Sequence, residues 1–103
     1  MVLRTNIAVV IKSFADKETE KLFRGRKSKV VPPQTRERAL SKLVLLNAAT
    51  NVEDLRVPPG NRLEKLRGDR EDQWSIRINQ QFRVVFSFEG GDAYDVEVSK
   101  HYE

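Results

Sequence analysis

Between Trp74 and Val98 apolar and polar residues alternate so regularly that this part of the chain has one simple solution, an antiparallel sheet with a single oily face. Trp74, Ile76 and Ile78 alternate with Ser75, Arg77 and Asn79. Phe82, Val84, Phe86 and Phe88 alternate with Arg83, Val85 and Ser87, and Tyr94, Val96 and Val98 alternate with Asp95, Glu97 and Ser99. Successive side chains of a strand point to opposite faces, so the first member of each set belongs to a core and the second to a polar face that carries arginine. Glu89-Gly90-Gly91-Asp92 supplies the hairpin turn between the last two strands. The same period carries Lys100 with the apolar set and His101 with the polar one.

The first half of the chain reads as helical. Val9 to Phe14 has the length and composition of a short strand. Asp16 can cap a helix on which Ala15, Thr19, Leu22 and Phe23 fall at helical spacing, and Gly25 ends it. Arg24 to Lys29 forms a basic loop, and Val31-Pro32-Pro33 fixes an extended entry to a second helix, because proline fits only the first helical turn. Ala39, Leu43, Leu46 and Ala49 line one face of that helix, joined by Leu40, and predict that it runs to about Ala49. Pro58-Pro59-Gly60-Asn61 is a strong turn signal. A helical hairpin followed by consecutive strands predicts an α+β fold, with the two helices covering Trp74, Ile76, Ile78, Phe82, Val84, Phe86, Tyr94, Val96 and Val98. The other sheet face is the candidate site.

A chain of 103 residues supports one hydrophobic core, so residues 1–103 are read as a single domain. No apolar run is long enough to cross a membrane, and the expectation is a soluble protein that is neither exported nor membrane-bound. The chain has no cysteine, which fits a cytoplasmic protein and removes disulfides, thiol catalysis and thiolate metal sites. One histidine cannot make a His-x-x-x-His zinc pair, and neither a GxGxxG loop nor a Walker loop nor a G-x-S-x-G elbow is present. No metal or cofactor is therefore expected. The net charge is +4 but unevenly spread: residues 1–47 hold eleven Lys/Arg against four acids, and the remainder hold eight against eleven. A basic helical half attracts phosphates over a Debye length of roughly 8 Å, whatever the base sequence, although a solubilising surface has the same composition.

What remains chemically is a metal-free route to cutting RNA, in which the ribose 2′-OH attacks the neighbouring phosphodiester. It needs a base for the 2′-OH proton, an acid for the 5′-oxygen, and cations for the charge developing on phosphorus. Arginine suits the last role, since its planar fork grips phosphate and stays charged. Arg67, Arg77 and Arg83 are the supply, and His101 has the one side chain that titrates near neutrality. Each has a structural alternative. Strand arginines pair with carboxylates such as Asp69, Glu71, Asp72, Asp95 or Glu97; Lys65, Lys100 and Tyr102 can solubilise or pack at a chain end; Trp74 can stack on a base but is assigned to the core.

Taken together, Ile11-Lys12-Ser13-Phe14, Lys21-Leu22-Phe23, Pro58-Pro59-Gly60-Asn61-Arg62-Leu63-Glu64, Leu66-Arg67-Gly68-Asp69-Arg70, Trp74-Ser75-Ile76-Arg77-Ile78-Asn79, Phe82-Arg83 and Asp92-Ala93-Tyr94 with Val96-Glu97-Val98 resemble the HigB toxins, host-inhibition relatives of RelE, from Ile11 to Tyr102. The resemblance implies a RelE-like α+β fold, with an N-terminal strand and a two-helix hairpin on one face of a mainly antiparallel sheet. It implies a ribosome-dependent endoribonuclease that cuts mRNA in the decoding site, held inactive by a HigA-type helix-turn-helix antitoxin that also carries the pair to operator DNA. Carried over by position, the basic residue before Gly-Asp is Arg67 and the strand arginine is Arg83. The histidine that some members carry three places before that basic residue is Glu64 here. Members that end Asp-Tyr-His contrast with Lys100-His101-Tyr102, so His101 and Tyr102 are assigned to the site jointly, with acid and base undivided. Lys65, Arg77, Lys100 and Glu64 are the candidate RNA contacts. Lys21, Arg24, Arg26, Lys27, Lys29 and Arg36 are the candidate ribosome-docking surface. Met1 to Val10 is an extension beyond the usual family start. A protein of the same fold that binds ribosome, RNA or antitoxin but cuts poorly is the alternative, and a DNA-binding accessory protein finds no helix-turn-helix pattern in the chain.

Overall fold

The computed structural model describes residues 10–70 and 72–100. The first helix, α1, spans Lys17–Phe23 and begins where Asp16 accepts a hydrogen bond from the Thr19 amide at 2.7 Å. It closes at Arg24, and Gly25 takes the left-handed conformation that starts the basic loop. Pro33–Thr35 form a 3-10 turn that leads into α2, Arg36–Asn47. That helix stops two residues short of Ala49, which is nonetheless buried with Ala39, Leu43 and Leu46. Asn47 is the reason its end is useful: its side-chain oxygen accepts the amides of Val10 and Ile11 at 3.0 and 2.9 Å, tying the N-terminal segment to the helix.

Four antiparallel strands lie in sequence order: β1 Glu64–Lys65, β2 Gln73–Arg77, β3 Phe82–Glu89 and β4 Asp92–Lys100. The two-residue β1 is too short to show a period of two in the sequence. The helices cover one face, where Ile76, Ile78, Phe82, Val84, Phe86, Val96 and Val98 are buried with Leu22, Leu43 and Leu46. Full burial of each large aliphatic or aromatic side chain contributes about 1.5–3 kcal/mol, so this single layer is the main source of stability. Trp74 packs against the rim of that core while half-buried.

One expected core member is elsewhere. Tyr94 is 36% exposed, and Ala93 is buried in its stead. The cause is a β-bulge: Val85 pairs with Glu97 but Ser87 pairs with Tyr94, so β4 carries one extra residue opposite Phe86. An inserted residue reverses the alternation before it, and Asp95 absorbs the distortion at φ 53°. The bulge also changes the N-terminal segment. Expected as a strand from Val9 to Phe14, the described part makes two isolated parallel bridges, Ile11 to Ala93 and Phe14 to Val96, one on each side of the bulge. Between them the Ser13 hydroxyl accepts the Asp95 amide at 2.8 Å. Val9 lies outside the described residues.

Two buried polar side chains fasten the remaining pieces. Thr19, fully buried, accepts the Val98 amide at 3.0 Å and so joins α1 to β4. Asn61, also fully buried, donates to the carbonyls of Leu55 and Val57 and accepts from Lys42 Nζ. Desolvation, followed by the charge of Arg38, holds the Lys42 ammonium below its usual pKa. The Pro58–Asn61 turn is thus a pinned scaffold that sets where β1 starts.

Candidate active site on the sheet face opposite the helices

Arg77 of β2 and Arg83 of β3 are directly paired across the ladder, and Ser99 of β4 pairs with Arg83. The three form one row on the face away from the helices. Two like charges in opposed positions are unfavourable unless something neutralises them. Arg83 has partners: its Nη1 donates to Ser75 Oγ at 3.0 Å and to Glu64 Oε1 at 3.3 Å. The Arg83 side chain is only 12% exposed, whereas that of Glu64 is 57% exposed. The guanidinium is therefore sunk in the face and its carboxylate stands in solvent. Arg77 is less provided for, since its buried Nε has no hydrogen-bond partner among the described residues. A buried donor without an acceptor is costly, and here it lies beside a second cation.

This face is less open than the alternation implies. Ser75 and Val85 point to it, yet both are buried, at 1% and 2% exposure. Arg83 lies on Ser75 through its hydrogen bond to Oγ, and the segment after β1 also reaches this face. Arg70 donates to Glu97 of β4 at 3.1 Å. Strands lie about 4.8 Å apart, so an arginine held in the plane of β1 could not reach across β2 and β3 to β4. The loop must lean over the face. It carries Arg67, which is exposed and makes no hydrogen bond or ion pair among the described residues, and turns at Gly68, φ 72°. The strap from Arg70 to Glu97 escaped the sequence reading because its ends are 27 positions apart and have no local signature. Ser99 was legible, since period two places it with Arg83.

The other candidates separate. Lys65 pairs with Trp74, stands on the helix side, and its ammonium lies 5.3 Å from the centre of the indole ring. Lys100 pairs with Phe82, again on the helix side, where it helps line a large groove. Lys21, Lys27, Lys29 and Arg36 line the same groove, with Lys21 paired to Glu18 at 3.2 Å. Arg24, paired to Glu20 at 2.9 Å, and Arg26 border a smaller hollow beside it. The six candidate docking cations thus form a continuous basic flank. His101 and Tyr102 lie outside the described residues.

The arrangement offers a phosphate two arginines paired in register, one desolvated and one with an idle buried donor, and the loop that reaches the same face through Arg70 carries Arg67 exposed. Bidentate arginine–phosphate bonds in such a setting are the strong kind.

Known proteins with this sequence pattern agree with one another. The profile of the HigB-like toxin family, RelE-like toxins of the type II toxin-antitoxin system HigB, matches residues 12–101. The chain is 39% identical over 89 residues to Toxin HigB-1 of Vibrio cholerae, an alignment covering 85% of this chain and 94% of that protein. It is 37% identical over 89 residues to Endoribonuclease HigB of Proteus vulgaris, covering 82% and 91%. An uncharacterised protein of Haemophilus influenzae is 35% identical over 60 residues, 58% of this chain and 59% of its own length. With the match running through α1, the Pro58–Asn61 turn, the arginine row and β4, the chain belongs to the HigB-like family of RelE-like type II toxins.

Proposed function

We propose that this toxin is an endoribonuclease that cuts mRNA on the ribosome by metal-independent 2′-OH attack, and so arrests translation. In the step proposed, O2′ bonds to phosphorus and the bond from phosphorus to O5′ breaks, leaving a 2′,3′-cyclic phosphate and a free 5′-hydroxyl end. A base takes the 2′-OH proton and an acid protonates O5′. Arg83 and Arg67 meet the charge on the nonbridging oxygens, with Arg77 beside them as an RNA contact. His101 and Tyr102 share the proton transfers, and Lys65, Lys100 and Glu64 are further candidate RNA contacts. The single observation that carries this reading is the opposed Arg77–Arg83 pair with an idle buried donor, a constellation that a phosphate would complete.

So few groups explain why the ribosome would be needed. In-line geometry contributes a large share of such a barrier, and a ribosome already holds the message bent. The basic flank of Lys21, Arg24, Arg26, Lys27, Lys29 and Arg36 would dock on ribosomal RNA. The family implies an antitoxin; we assign it to the HigA type, a helix-turn-helix protein that carries the complex to operator DNA, and we assign the toxin to the cytoplasm. Among the described residues no helix is long and apolar enough to cross a membrane.

The decisive experiment is primer-extension mapping of message ends in cells making the protein, with Arg83→Ala in parallel. New ends confined to translated regions and absent with Arg83→Ala are expected. A chain that binds ribosomes but leaves messages whole would establish the second reading, a poorly cutting binder, which is favoured by Glu64 occupying Arg83 at the position where the resemblance implies a histidine in some family members.

A further inference from the structure

We propose that the groove between α1, the 27–36 segment and the Phe82–Lys100 end of the sheet is the seat of an acidic, aliphatic segment of the antitoxin. The proposal rests on the toxin assignment only for the existence of that partner, and not on the nuclease chemistry. The groove has a volume of about 1090 Å³. Its walls are Val30, Val31, Pro32, Pro33, Phe82 and Val98, and its rim is cationic. Among the described residues one carboxylate lies with these cations, and it is already engaged: Glu18 accepts the Lys29 amide at 2.8 Å, the Ser28 hydroxyl and the Lys21 ammonium. The side-chain cations of Lys27, Lys29 and Arg36 are left without hydrogen-bonded acidic partners among the described residues, and the buried Arg36 Nε has no acceptor there at all.

The two halves of this lining select the class of occupant. A polyanion would satisfy the rim and waste the floor. RNA bases stack on exposed aromatic rings, but the one aromatic of the lining among the described residues, Phe82, is 8% exposed and belongs to the core. Valine and proline walls accept aliphatic side chains, and a cationic rim accepts Asp or Glu flanking them, which is how a protein segment is recognised. The groove opens on the helix side, away from the arginine row, so its occupant covers the basic flank before it covers Arg83. Since Lys21, Lys27, Lys29 and Arg36 are shared with the proposed ribosome-docking surface, seating the segment and docking on the ribosome exclude each other.

The test uses the full chain and the antitoxin encoded beside it, with affinity measured by titration. Lys27→Glu combined with Arg36→Glu, and separately Val30→Asn, are each expected to weaken the complex about tenfold or more. Val30→Asn is expected to leave binding of a naked RNA oligonucleotide within about twofold, since it changes no charge and an aliphatic floor contributes little to phosphate attraction. Hydrogen exchange on the wild-type pair needs no substitution and is expected to show slowed amides across 27–36. Affinities unchanged in both variants with no protection of that segment would overturn the proposal. So would a charge reversal that abolishes ribosome binding while antitoxin affinity holds, which would make the groove a surface for RNA. A failure of the nuclease reading would appear instead as uncut messages with these binding results intact.

Discussion

Arg83 is the side chain on which the proposed chemistry turns, and its surroundings state what losing it does. Its partner Glu64 is solvent-exposed and Ser75 is a neutral hydroxyl, so Arg83→Ala strands no buried charge. Cleavage is expected to fall by about a hundredfold to a thousandfold, the scale of removing one charge-stabilising donor, while the unfolding midpoint in urea shifts little. Arg83→Lys should recover only part of that rate, because an ammonium lacks the planar fork. Single-turnover cleavage on programmed ribosomes measures both. Glu18 carries a prediction in pH. The Lys29 amide, then the Lys21 ammonium, hold its carboxyl below the usual 4.5. A depressed acid contributes stability that is complete above 4.5 and is lost as pH falls through the lower folded value. Glu18→Gln should therefore be less stable than the parent at neutral pH, and the two unfolding curves should converge in acid. At this scale the sequence was informative where a residue's partner is near in register, as for Arg77, Arg83 and Ser99. It was silent on Glu64 meeting Arg83, which requires knowing that a two-residue strand sits beside β2.

The elements followed from periodicity wherever a segment obeys one rule throughout. α2 came from Ala39, Leu43, Leu46 and Ala49, and β2 and β3 from strict alternation, and these faces are buried as expected except at Trp74 and Phe88, which are only partly buried. β4 failed at one place, because a bulge breaks the period at Asp95 and nothing in Tyr94-Asp95-Val96 announces it. The open sheet face was partly misread, since Val85 and Ser75 are buried on it and a loop tied by Arg70 to Glu97 reaches it. Two substitutions probe these joints. Thr19→Val keeps the shape of a fully buried side chain but removes the acceptor for the Val98 amide, and should cost about 1–3 kcal/mol in urea unfolding, with Thr19→Ser closer to the parent. Glu97→Gln should loosen the strap and raise amide exchange in residues 66–70, while leaving exchange in β3 unchanged.

For the molecule as a whole, the surplus of positive charge in the first 47 residues becomes a flank formed by α1, the basic loop and the start of α2. If that flank holds ribosomal RNA, replacing Lys27 and Lys29 by Gln should lower the slope of log affinity against log salt by about two and weaken binding at every message sequence alike. Ribosome pelleting across a salt series reads this directly. The pairing of the chain's beginning with its end has a different consequence. Ile11 and Phe14 have their backbone partners at Ala93 and Val96, and Thr19 has its own at Val98, about eighty positions later. During synthesis those first residues leave the exit tunnel long before their partners exist, so the sheet edge cannot close until β4 has been made. A toxin whose N-terminal segment finds its partners only in β4 gives the cell making it an interval in which the nascent chain is unfinished and an antitoxin can already be waiting.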